Sequence, residues 1–404
     1  MEEPFKKALP IIEKLNEAGF EAYFVGGSVR DFLLKRPIGD IDIATSALPE
    51  DVQRLFERTI PVGIKHGTVV VVFHNECYEV TTFRIDGDYQ DFRRPSKVEF
   101  VSTLEQDLSR RDFTINAIAM DKNGAIIDPF KGKEDLINKY IQTVGNPDER
   151  LLEDPLRIMR ALRFVGQLDF ELSIDTKLSI KKNAAYLAKI SIERVLIEFE
   201  KLLNGKARKK ALDLIAELHI FNYLPELECK QEELLQFAEA SSTQSLTVDE
   251  QWTLLLIMLK VKNIEHFFKQ WKSSNERIKF CKLYLNAIEE LEKKHGLTPL
   301  LVYTYGIEVL QSCIKLYCIL ENIHSEALVA SLQDIHHELP IFSRRELAVT
   351  GNDLMDWFQK TGGPWLSETI GLIERAVVNG ELSNTKDEIK EWLLRCNPQF
   401  ENNY

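Results

Sequence analysis

Two aspartates, Asp40 and Asp42, are separated by one residue in the segment GDIDIA. In an extended strand alternate side chains point to the same face, so both carboxylates are predicted to project together while Ile41 and Ile43 point into a core. Carboxylates on one face repel each other unless a cation lies between them. Mg²⁺ prefers oxygen ligands and often shares them with substrate phosphates, so it suits this pair. By itself the pair is more typical of a polar strand edge with two solvated aspartates.

The segment that precedes the aspartates favours the metal interpretation. AYFVGGSVRDFLL places Gly26 and Gly27 after an apolar run typical of a buried strand and before an apolar helix. Backbone N–H groups at such a junction bind anions, and glycine lets a phosphate approach closely. Arg30, in the first turn of the helix, adds a donor fork for phosphate. A glycine pair alone is often only a tight turn, but the whole constellation predicts a site for a metal-bound phosphate.

GGSVRD followed by GDIDIA resembles the signature of the polymerase-beta-like nucleotidyltransferases. It is particularly similar to the bacterial class II group, which contains tRNA CCA-adding enzymes and poly(A) polymerases. The resemblance implies that Asp40 and Asp42 bind two Mg²⁺ ions for phosphoryl transfer. It also implies a third acidic residue on a neighbouring strand, for which Glu79 in CYEVTTFR is the best match.

Further motifs extend the resemblance along the chain. RRDFTINA (110–117) is similar to the second motif of the family, which implies that Arg111 holds the incoming triphosphate. IIDPF (126–130) resembles the motif that closes the catalytic head, and SIERVLIEFEKLL (191–203) resembles a helix that braces the nucleotide site. The segments ELAVTGNDLMDW and TGGPWLSETIGLIERAVVNGEL resemble the C-terminal tail of the CCA-adding enzymes, which contacts tRNA.

RLLEDPLRIMRALRF (150–164) predicts a helix on which Asp154, Arg157, Arg160 and Arg163 follow one another at intervals of three. The opposite side is predicted to be an apolar, anchoring face, made of Leu151, Leu152, Ile158, Met159, Leu162 and Val165. A solvent-facing ladder of ion pairs is the plainer interpretation, although the excess of arginines over acids counts against it.

An Asp accepts from an exocyclic amino group and an Arg donates to ring nitrogens or carbonyl oxygens. Asp154 and Arg157 can therefore bind cytosine and adenine and refuse uracil and guanine. The pattern resembles the family's protein template for CTP and ATP, which implies that Arg160 and Arg163 line the same nucleotide site. Pro155 departs from the family pattern, and the helix is expected to begin near Asp154, since proline is tolerated in a first turn.

Two kinds of secondary structure are predicted to position these residues. The first 145 or so residues mix strands, at 22–27, 41–44, 67–73, CYEVTTFR and 125–130, with a helical stretch around DFTINAIAM. From about residue 150 the chain is predicted to form successive amphipathic helices. We therefore expect an elongated multidomain protein. It would have an α/β head with a mixed sheet (1–145), then an all-α neck that recognises the base (146–205), an all-α body (206–310) and a tRNA-binding tail (311–404).

The composition excludes several function classes. The net charge of −12 argues against a general nucleic-acid binder, but KARKK at 206–210 is a candidate for a local RNA surface. The six cysteines form no CxxC pair, which predicts reduced thiols in a cytoplasmic protein. No apolar run is long enough to span a membrane, and the N-terminus lacks the pattern of a signal peptide.

The expected function is template-independent addition of C, C and A to the 3′ end of tRNA from CTP and ATP. The expected RNA contacts are the 3′ end, the acceptor stem and the elbow, and no protein partner is evident. Three alternatives stay open: a poly(A) polymerase, a partial enzyme that adds only CC or only A, and an RNA-binding protein that has lost catalysis. TTFRIDGDYQDFRRP (81–95) favours full CCA addition because it resembles the flexible loop that lets the pocket change from CTP to ATP.

Overall fold

The computed structural model describes residues 2–87 and 98–396 and divides into two compact units. The first unit extends to Ser242 and includes Glu265–Ser273, while the second contains Thr243–Ile264 and the residues after Ser273. Nothing in this division tests the predicted boundaries near 145, 205 and 310, which stay predictions. No helix in the described ranges has both the length and the apolar character needed to cross a membrane.

A mixed sheet of seven strands forms the core of the first unit, in the order β3-β4-β5-β2-β1-β8-β9, and two short strand pairs, β6-β7 and β10-β11, lie outside it. Only β2 and β5 run parallel within the large sheet. The strands are Ala22–Val25 (β1), Asp42–Thr45 (β2), Thr59–Gly63 (β3), Thr68–Phe73 (β4), Glu76–Thr82 (β5), Arg84–Asp86 (β6), Val98–Phe100 (β7), Ala119–Met120 (β8), Ile126–Ile127 (β9), Tyr140–Ile141 (β10) and Glu171–Leu172 (β11).

Helices provide the rest of the regular structure, which confirms the predicted fold class of an α/β head followed by a helical remainder. They are Glu3–Glu17 (α1), Gly27–Leu33 (α2), Pro49–Leu55 (α3), Leu104–Ser109 (α4), Gly132–Asn138 (α5), Pro147–Glu153 (α6), Leu156–Leu168 (α7), Ile174–Asn183 (α8), Ile192–Leu203 (α9), Arg208–Glu217 (α10), Gln231–Ser242 (α11), Val248–Met258 (α12), Ile264–Gln270 (α13), Asn275–Lys293 (α14), Pro299–Tyr305 (α15), Ile307–Glu321 (α16), Glu326–Glu338 (α17), Gly351–Phe358 (α18), Pro364–Val378 (α19) and Lys386–Cys396 (α20).

The central strands set the register of the site. Val25 at the end of β1 pairs with Asp42, and Asp42 pairs with Glu79 on β5. Residues directly opposite in neighbouring strands share a face of the sheet, so the carboxylates of Asp42 and Glu79 are cross-strand neighbours. Phe24 and Ile43, which alternate with these positions, are fully buried. The sheet therefore fixes both the depth and the direction of the acidic pair.

The predicted helix around DFTINAIAM is wrong. This stretch forms one 3₁₀ turn, Thr114–Asn116, followed by the short strand β8. Every residue from Phe113 to Met120 is buried. A segment enclosed on all sides has no polar face, so its apolar residues give no reliable helical period, and its strand is too short to reveal itself by alternation. The strand β3 was also not predicted, because its Ile60 and Val62 are exposed.

The second unit contains α12 and α14–α20, and the tail segment resembling that of the CCA-adding enzymes lies within it. Thr350 begins α18 with a capping box, since its hydroxyl accepts from the N–H of Asp353 and the Asp353 carboxylate accepts from the N–H of Thr350. Glu374 on α19 is nearly buried and accepts hydrogen bonds from Tyr303 and Arg344. These contacts account for the helical starts and the core of this segment without assigning it an RNA contact.

Two glycines let α7, the helix that carries the arginines, pack closely on the end of α9. The N–H of Ala207 donates to the carbonyl oxygen of Gly166 on α7 at 2.8 Å. A Cβ on Gly205 would overlap that same carbonyl oxygen, and a Cβ on Gly166 would lie 3.3 Å from the Cβ of Ala211. The position of α7 therefore depends on the absence of side chains at this crossing.

We predict that Gly205→Ala destabilises the first unit by about 1–3 kcal/mol, the usual cost of overpacking, because α7 must move away from residue 205. Thermal and urea unfolding measure this change. The matched control is Gly39→Ala in the same unit, where a Cβ meets nothing within 4 Å. Equal stability of the two variants would contradict the assigned role of the Gly166–Gly205 contact.

Candidate active site

A cavity of about 680 Å³ in the first unit collects the predicted site residues. The members of the predicted set that line it are Gly26, Gly27, Arg30, Asp42, Glu79, Arg111, Asp154, Arg157, Arg160 and Arg163. Asp40 is the exception, as it is exposed and does not line the cavity. Asp42 and Glu79 form an acidic wall and guanidinium groups form an arginine wall, so the cavity is suited to a ligand that carries both cationic and anionic centres.

The carboxylates of the acidic wall are not fully compensated by the cations near them. Burial, the neighbouring Glu79 carboxylate and Asp40 together raise the pKa of Asp42 from 3.8 to about 6, while Arg111 acts in the opposite direction. A raised carboxyl pKa means that the folded chain disfavours the ionised form. Asp42 and Glu79 are therefore neighbouring oxygen donors whose repulsion, to which Asp40 adds, a divalent cation would relieve, and carboxylate oxygens fit such an ion.

The strand that carries Asp42 begins one residue later than the predicted strand at 41–44 and has the same length. β2 begins at Asp42, and Asp40 lies before it, because β1 ends at Val25 and leaves no partner for residue 40. The strand therefore fixes the direction of Asp42 alone, and the shared face of Asp40 and Asp42 stays a prediction. Within residues 2–87 and 98–396, no three acidic, histidine or cysteine side chains already converge as a ligand set. Mg²⁺ commonly takes only one or two carboxylates and completes its shell with phosphate and water.

The glycine turn passes between the two charged walls. Gly26 has φ +73°, in the region that favours glycine, and caps α2. A Cβ at Gly26 would lie 3.1 Å from Nη1 of Arg111 and 3.6 Å from Oδ2 of Asp42. A side chain at this position would thus fill the space between a guanidinium and a carboxylate. Gly27 begins α2 with ordinary φ, and a Cβ there would meet only Arg30, at 3.6 Å.

Arg30 is held in place by a chain of hydrogen bonds that crosses the site. It donates to Asp31 at 2.9 Å and to Oδ1 of Asn116 at 2.7 Å. Asn116 donates in turn to Asp112 at 3.1 Å, and Asp112 accepts from Nε of Arg160 at 2.7 Å. Burial favours a raised pKa for Asp112, but Arg160 and Asn116 outweigh it and hold that pKa well below its ordinary value. The glycine-turn helix and α7 are connected through these side chains.

A second buried carboxylate orients Arg111. Asp107 on α4 is fully buried and accepts from Nε of Arg110 at 2.9 Å and from Nη2 of Arg111 at 3.1 Å. Burial works to raise the pKa of Asp107, but the two guanidinium groups lower it overall. Arg111 is thereby directed towards the glycine turn while keeping its charge partly uncompensated, since one carboxylate serves two arginines.

The predicted single helix at 150–164 is interrupted. α6 ends at Glu153, Asp154 is extended at φ −139° and ψ 95°, and α7 begins after Pro155. Oδ1 of Asp154 accepts from the N–H of Leu156 at 3.1 Å, which satisfies a donor at the start of α7. The expectation that a helix begins near Asp154 is therefore confirmed. The expected apolar face is buried at every predicted position except Leu152, which is exposed.

Asp154 and Arg157 both line the cavity, and within the described residues a backbone hydrogen bond joins them, at 2.9 Å from the N–H of Arg157 to the carbonyl oxygen of Asp154, but no side-chain hydrogen bond or ion pair. Both oxygens of Asp154 accept from Arg194 on α9, at 3.3 and 2.7 Å. Arg157 donates through Nη1 to Glu153 and to the carbonyl of Arg150, and through Nη2 to the carbonyl of Arg110. Each of the two side chains is therefore fixed in direction by groups outside the pair.

Three guanidinium groups surround Phe164. Their central carbons lie 4.2 Å (Arg163), 5.2 Å (Arg30) and 5.7 Å (Arg160) from the ring centroid. Glu198 on α9 is nearly buried and lies 3.1 Å from Nη1 of Arg163 and 3.7 Å from Nη1 of Arg160. Burial lowers the pKa of Arg163 to about 10. The negative ring face and Glu198 together let like-charged arginines remain close.

Sequence reasoning missed the residues that hold the site residues in place. The sequence patterns do not indicate Asp107, Asp112, Asn116 or Glu198, and Arg194 is indicated only as part of the segment 191–203 that resembles a bracing helix. An indirect signal was present, because Asp107 and Asp112 bracket Arg110 and Arg111, and Glu198 interrupts an otherwise apolar helix face. Three side chains of KARKK, the segment predicted as a local RNA surface, have partners within the chain. Lys209 and Lys210 pair with acidic side chains, and Arg208 donates to the carbonyl of Ser241.

We predict that Asp42→Asn stabilises the metal-free protein above pH 6. The folded-state pKa of Asp42 is raised from 3.8 to about 6, so the stability it allows is fully present below pH 3.8 and is lost as the pH rises through 6. The two-unit shift corresponds to at most ~3 kcal/mol, since water also reaches the carboxylate. The difference in the free energy of unfolding should grow from zero near pH 4 to a plateau above pH 7.

The control for this prediction is Glu13→Gln, which removes one negative charge from an exposed position on α1. Unfolding of both variants is followed from pH 4 to 8, with and without a divalent cation. The cation should raise the unfolding temperature of the wild type more than that of Asp42→Asn. A pH-independent difference between Asp42→Asn and the wild type would show that Asp42 is not strained by its neighbours.

Comparison with known proteins places this site in a family. The family described as "Poly A polymerase head domain" matches residues 22–142, "Probable RNA and SrmB- binding site of polymerase A" matches 169–230 and "tRNA nucleotidyltransferase domain 2 putative" matches 243–393. The CCA-adding enzyme of Geobacillus kaustophilus is 49% identical over 404 residues, covering 100% of both chains.

Solved structures agree with this assignment. The Bacillus stearothermophilus CCA-adding enzyme in complex with CTP is 44% identical, with a TM-score of 0.91 and 100% of both chains covered. A tRNA nucleotidyltransferase complexed with a primer tRNA and an incoming ATP analog is 25% identical, with a TM-score of 0.60, covering 81% of this chain and 98% of its own. Given the full-length identity to such relatives, the chain belongs to the family of CCA-adding enzymes.

Proposed function

We propose that the cavity of the first unit adds C, C and A to the 3′ end of tRNA, using CTP and ATP and releasing pyrophosphate. The observation that carries the proposal is that the Asp42–Glu79 pair, a glycine turn and a wall of arginines line one cavity. Relatives named CCA-adding enzymes match the whole chain, and solved relatives hold CTP, primer tRNA and an ATP analog. The proposed RNA contacts are the 3′ end, the acceptor stem and the elbow.

Nucleotidyltransferases of this family use divalent metals, and we propose two Mg²⁺ ions held by Asp40 and Asp42, with Glu79 beside them. When bound, such ions activate the attacking 3′-hydroxyl and neutralise the departing pyrophosphate. The raised pKa of Asp42 supports this assignment, because it reports negative charge that the chain does not compensate. Asp40 lies outside the cavity lining but is close enough to raise the pKa of Asp42.

The remaining work of the chain is positioning and charge stabilisation. The turn at Gly26 and Gly27 offers backbone N–H groups and no side chain, so a triphosphate can approach the backbone there. Arg30 and Arg111 flank the turn, and each is held by a carboxylate that keeps its guanidinium directed into the cavity. The side chains are thus preorganised before substrate binds, which avoids reorganisation during the reaction.

Base selection is assigned to Asp154 and Arg157. A carboxylate oxygen offers two lone pairs, so Asp154 can accept from the amino group of cytosine or adenine while it remains bound to Arg194. Arg157 has five N–H donors. Three go to Glu153 and two carbonyls, which leaves two donors, 5 − 3, for a base edge. Arg160 and Arg163 line the same cavity and are proposed to complete the nucleotide site.

The alternatives differ in the product and not in the chemistry. A poly(A) polymerase is favoured by the two family models named after polymerase A, at residues 22–142 and 169–230, whereas full-length relatives are named CCA-adding enzymes. The segment 81–95 expected to distinguish full from partial addition lies, from residue 88 onwards, outside the described residues. A non-catalytic RNA-binding protein has no need of the complete acidic and glycine constellation.

The function is tested with tRNA transcripts that lack the 3′ end or stop at C or CC, incubated with each NTP singly and mixed. With CTP plus ATP and Mg²⁺ we expect addition of three nucleotides followed by a stop, resolved on a sequencing gel. Asp42→Ala should abolish incorporation while tRNA binding, measured by filter retention, persists. A long adenosine ladder would indicate a poly(A) polymerase, and a halt after CC would indicate a partial enzyme. No extension with any NTP would refute the proposed enzyme activity.

We further predict that Asp154→Ala weakens discrimination among NTPs, because the acceptor for the amino group is lost while the acidic wall remains. UTP and GTP incorporation should rise relative to CTP and ATP, by about tenfold for the loss of one buried hydrogen bond. Single-nucleotide incorporation rates for the four NTPs measure this. Arg194→Ala serves as the comparison, because it removes the hydrogen bonds that orient Asp154 and leaves the Asp154 carboxylate in place. Unchanged selectivity in Asp154→Ala would exclude Asp154 as a base reader.

A further inference from the structure

Helix α9 carries a row of charged residues on the face that contacts the residues lining the cavity. Arg194, Glu198 and Lys201 follow at intervals of four and three, which places them on one face of the helix. Arg194 binds both oxygens of Asp154, and Glu198 lies between Arg160 and Arg163. Arg194 and Glu198 therefore fix the side chains of residues that line the proposed nucleotide site. Lys201 is the third, and it lines the cavity itself.

Lys201 differs from the other cations that line the cavity, because it has no carboxylate partner among the described residues. The arginines that line the cavity each pair with an acidic side chain: Arg30 with Asp31, Arg110 and Arg111 with Asp107, Arg157 with Glu153, Arg160 with Asp112, and Arg163 with Glu198. Lys201 is exposed, and no hydrogen bond or ion pair to it is found in the described ranges. Its full positive charge is available to a ligand.

The position of Lys201 indicates which part of a nucleotide it would contact. It lies seven residues beyond Arg194, which is about 10 Å along the helix axis from the Asp154 end. The glycine turn, where phosphate is proposed to bind, also lies away from Asp154. Its Arg30 lies over the ring of Phe164, which is near the C-terminal end of α7. A nucleotide whose base is at Asp154 would thus extend its phosphates towards Lys201.

We propose that Lys201 is a phosphate-binding residue of this site, contacting the β- or γ-phosphate of the incoming CTP or ATP. This inference rests on the proposed function and adds a residue to it. As a compact charge on a flexible stem, a lysine can follow a phosphate that moves as pyrophosphate departs. A purely structural role is the other possibility, because Lys201 lies in the last turn of α9, where a cation stabilises the helix.

The test compares Lys201→Gln, Lys201→Arg and the wild type for equilibrium binding of CTP and CMP in Mg²⁺, and for KM and kcat with CTP, ATP and tRNA. Lys201→Gln should lose about tenfold in CTP affinity, the effect of one charge-assisted hydrogen bond, and keep its affinity for CMP. KM for CTP and ATP should rise together while KM for tRNA stays constant. Lys201→Arg should restore most of the CTP affinity.

The charge-matched control is Lys6→Gln, which removes an exposed cation on α1 outside the cavity and should leave all these constants unchanged. Equal losses for CTP and CMP, or a change confined to KM for tRNA, would overturn the proposal. A lowered unfolding temperature of Lys201→Gln with normal CTP affinity would assign Lys201 to helix stability and overturn it too. Wild-type protein that neither binds nor incorporates CTP would instead refute the proposed function.

Discussion

Each wall of the cavity carries charges of one sign, and the two walls differ in how far the chain compensates that charge. The arginine wall is compensated from behind by carboxylates that are buried or nearly so, namely Asp107, Asp112 and Glu198. The acidic wall has no such support, and the pKa of Asp42 rises to about 6 as a result. Removing a partner from a buried charge is costly, so the arginines are fixed, whereas the acidic wall is left incomplete. The proposed metal-bound triphosphate would supply positive charge to the acidic wall and negative charge to the arginine wall.

This arrangement depends on elements that are distant in sequence. The sheet register sets Asp42 beside Glu79, and the glycine turn ends β1 at the point where the acidic pair begins. The chain Arg30–Asn116–Asp112–Arg160 then ties the glycine turn to α7. Because α7 is also held by the close approach of Gly166 and Gly205, the glycine turn and the Asp154 end of the cavity are fixed relative to each other. Preorganisation of this kind is what phosphoryl transfer requires of a protein.

The sequence indicated the parts whose signals are local. The glycine turn and the strands that flank it could be predicted because turn residues and β-branched runs act over a few positions. The supporting residues could not, since Arg30 and Asn116 lie 86 positions apart and Asp154 and Arg194 lie 40 apart. The failure at DFTINAIAM has a related cause, because a segment buried on all sides shows no period that separates helix from strand. The break at Asp154 was indicated by Pro155, a local signal again.

The presence of an acidic metal wall and an arginine phosphate wall in one cavity is tested most directly by diffraction from crystals grown with CTP and Mn²⁺, measured at the manganese edge. The account predicts anomalous peaks at coordinating distance from the Asp42 carboxylate. It also predicts phosphate density between these peaks and the turn at Gly26 and Gly27, and a cytosine facing Asp154. Manganese bound away from Asp42, or a triphosphate directed away from the glycine turn, would contradict it.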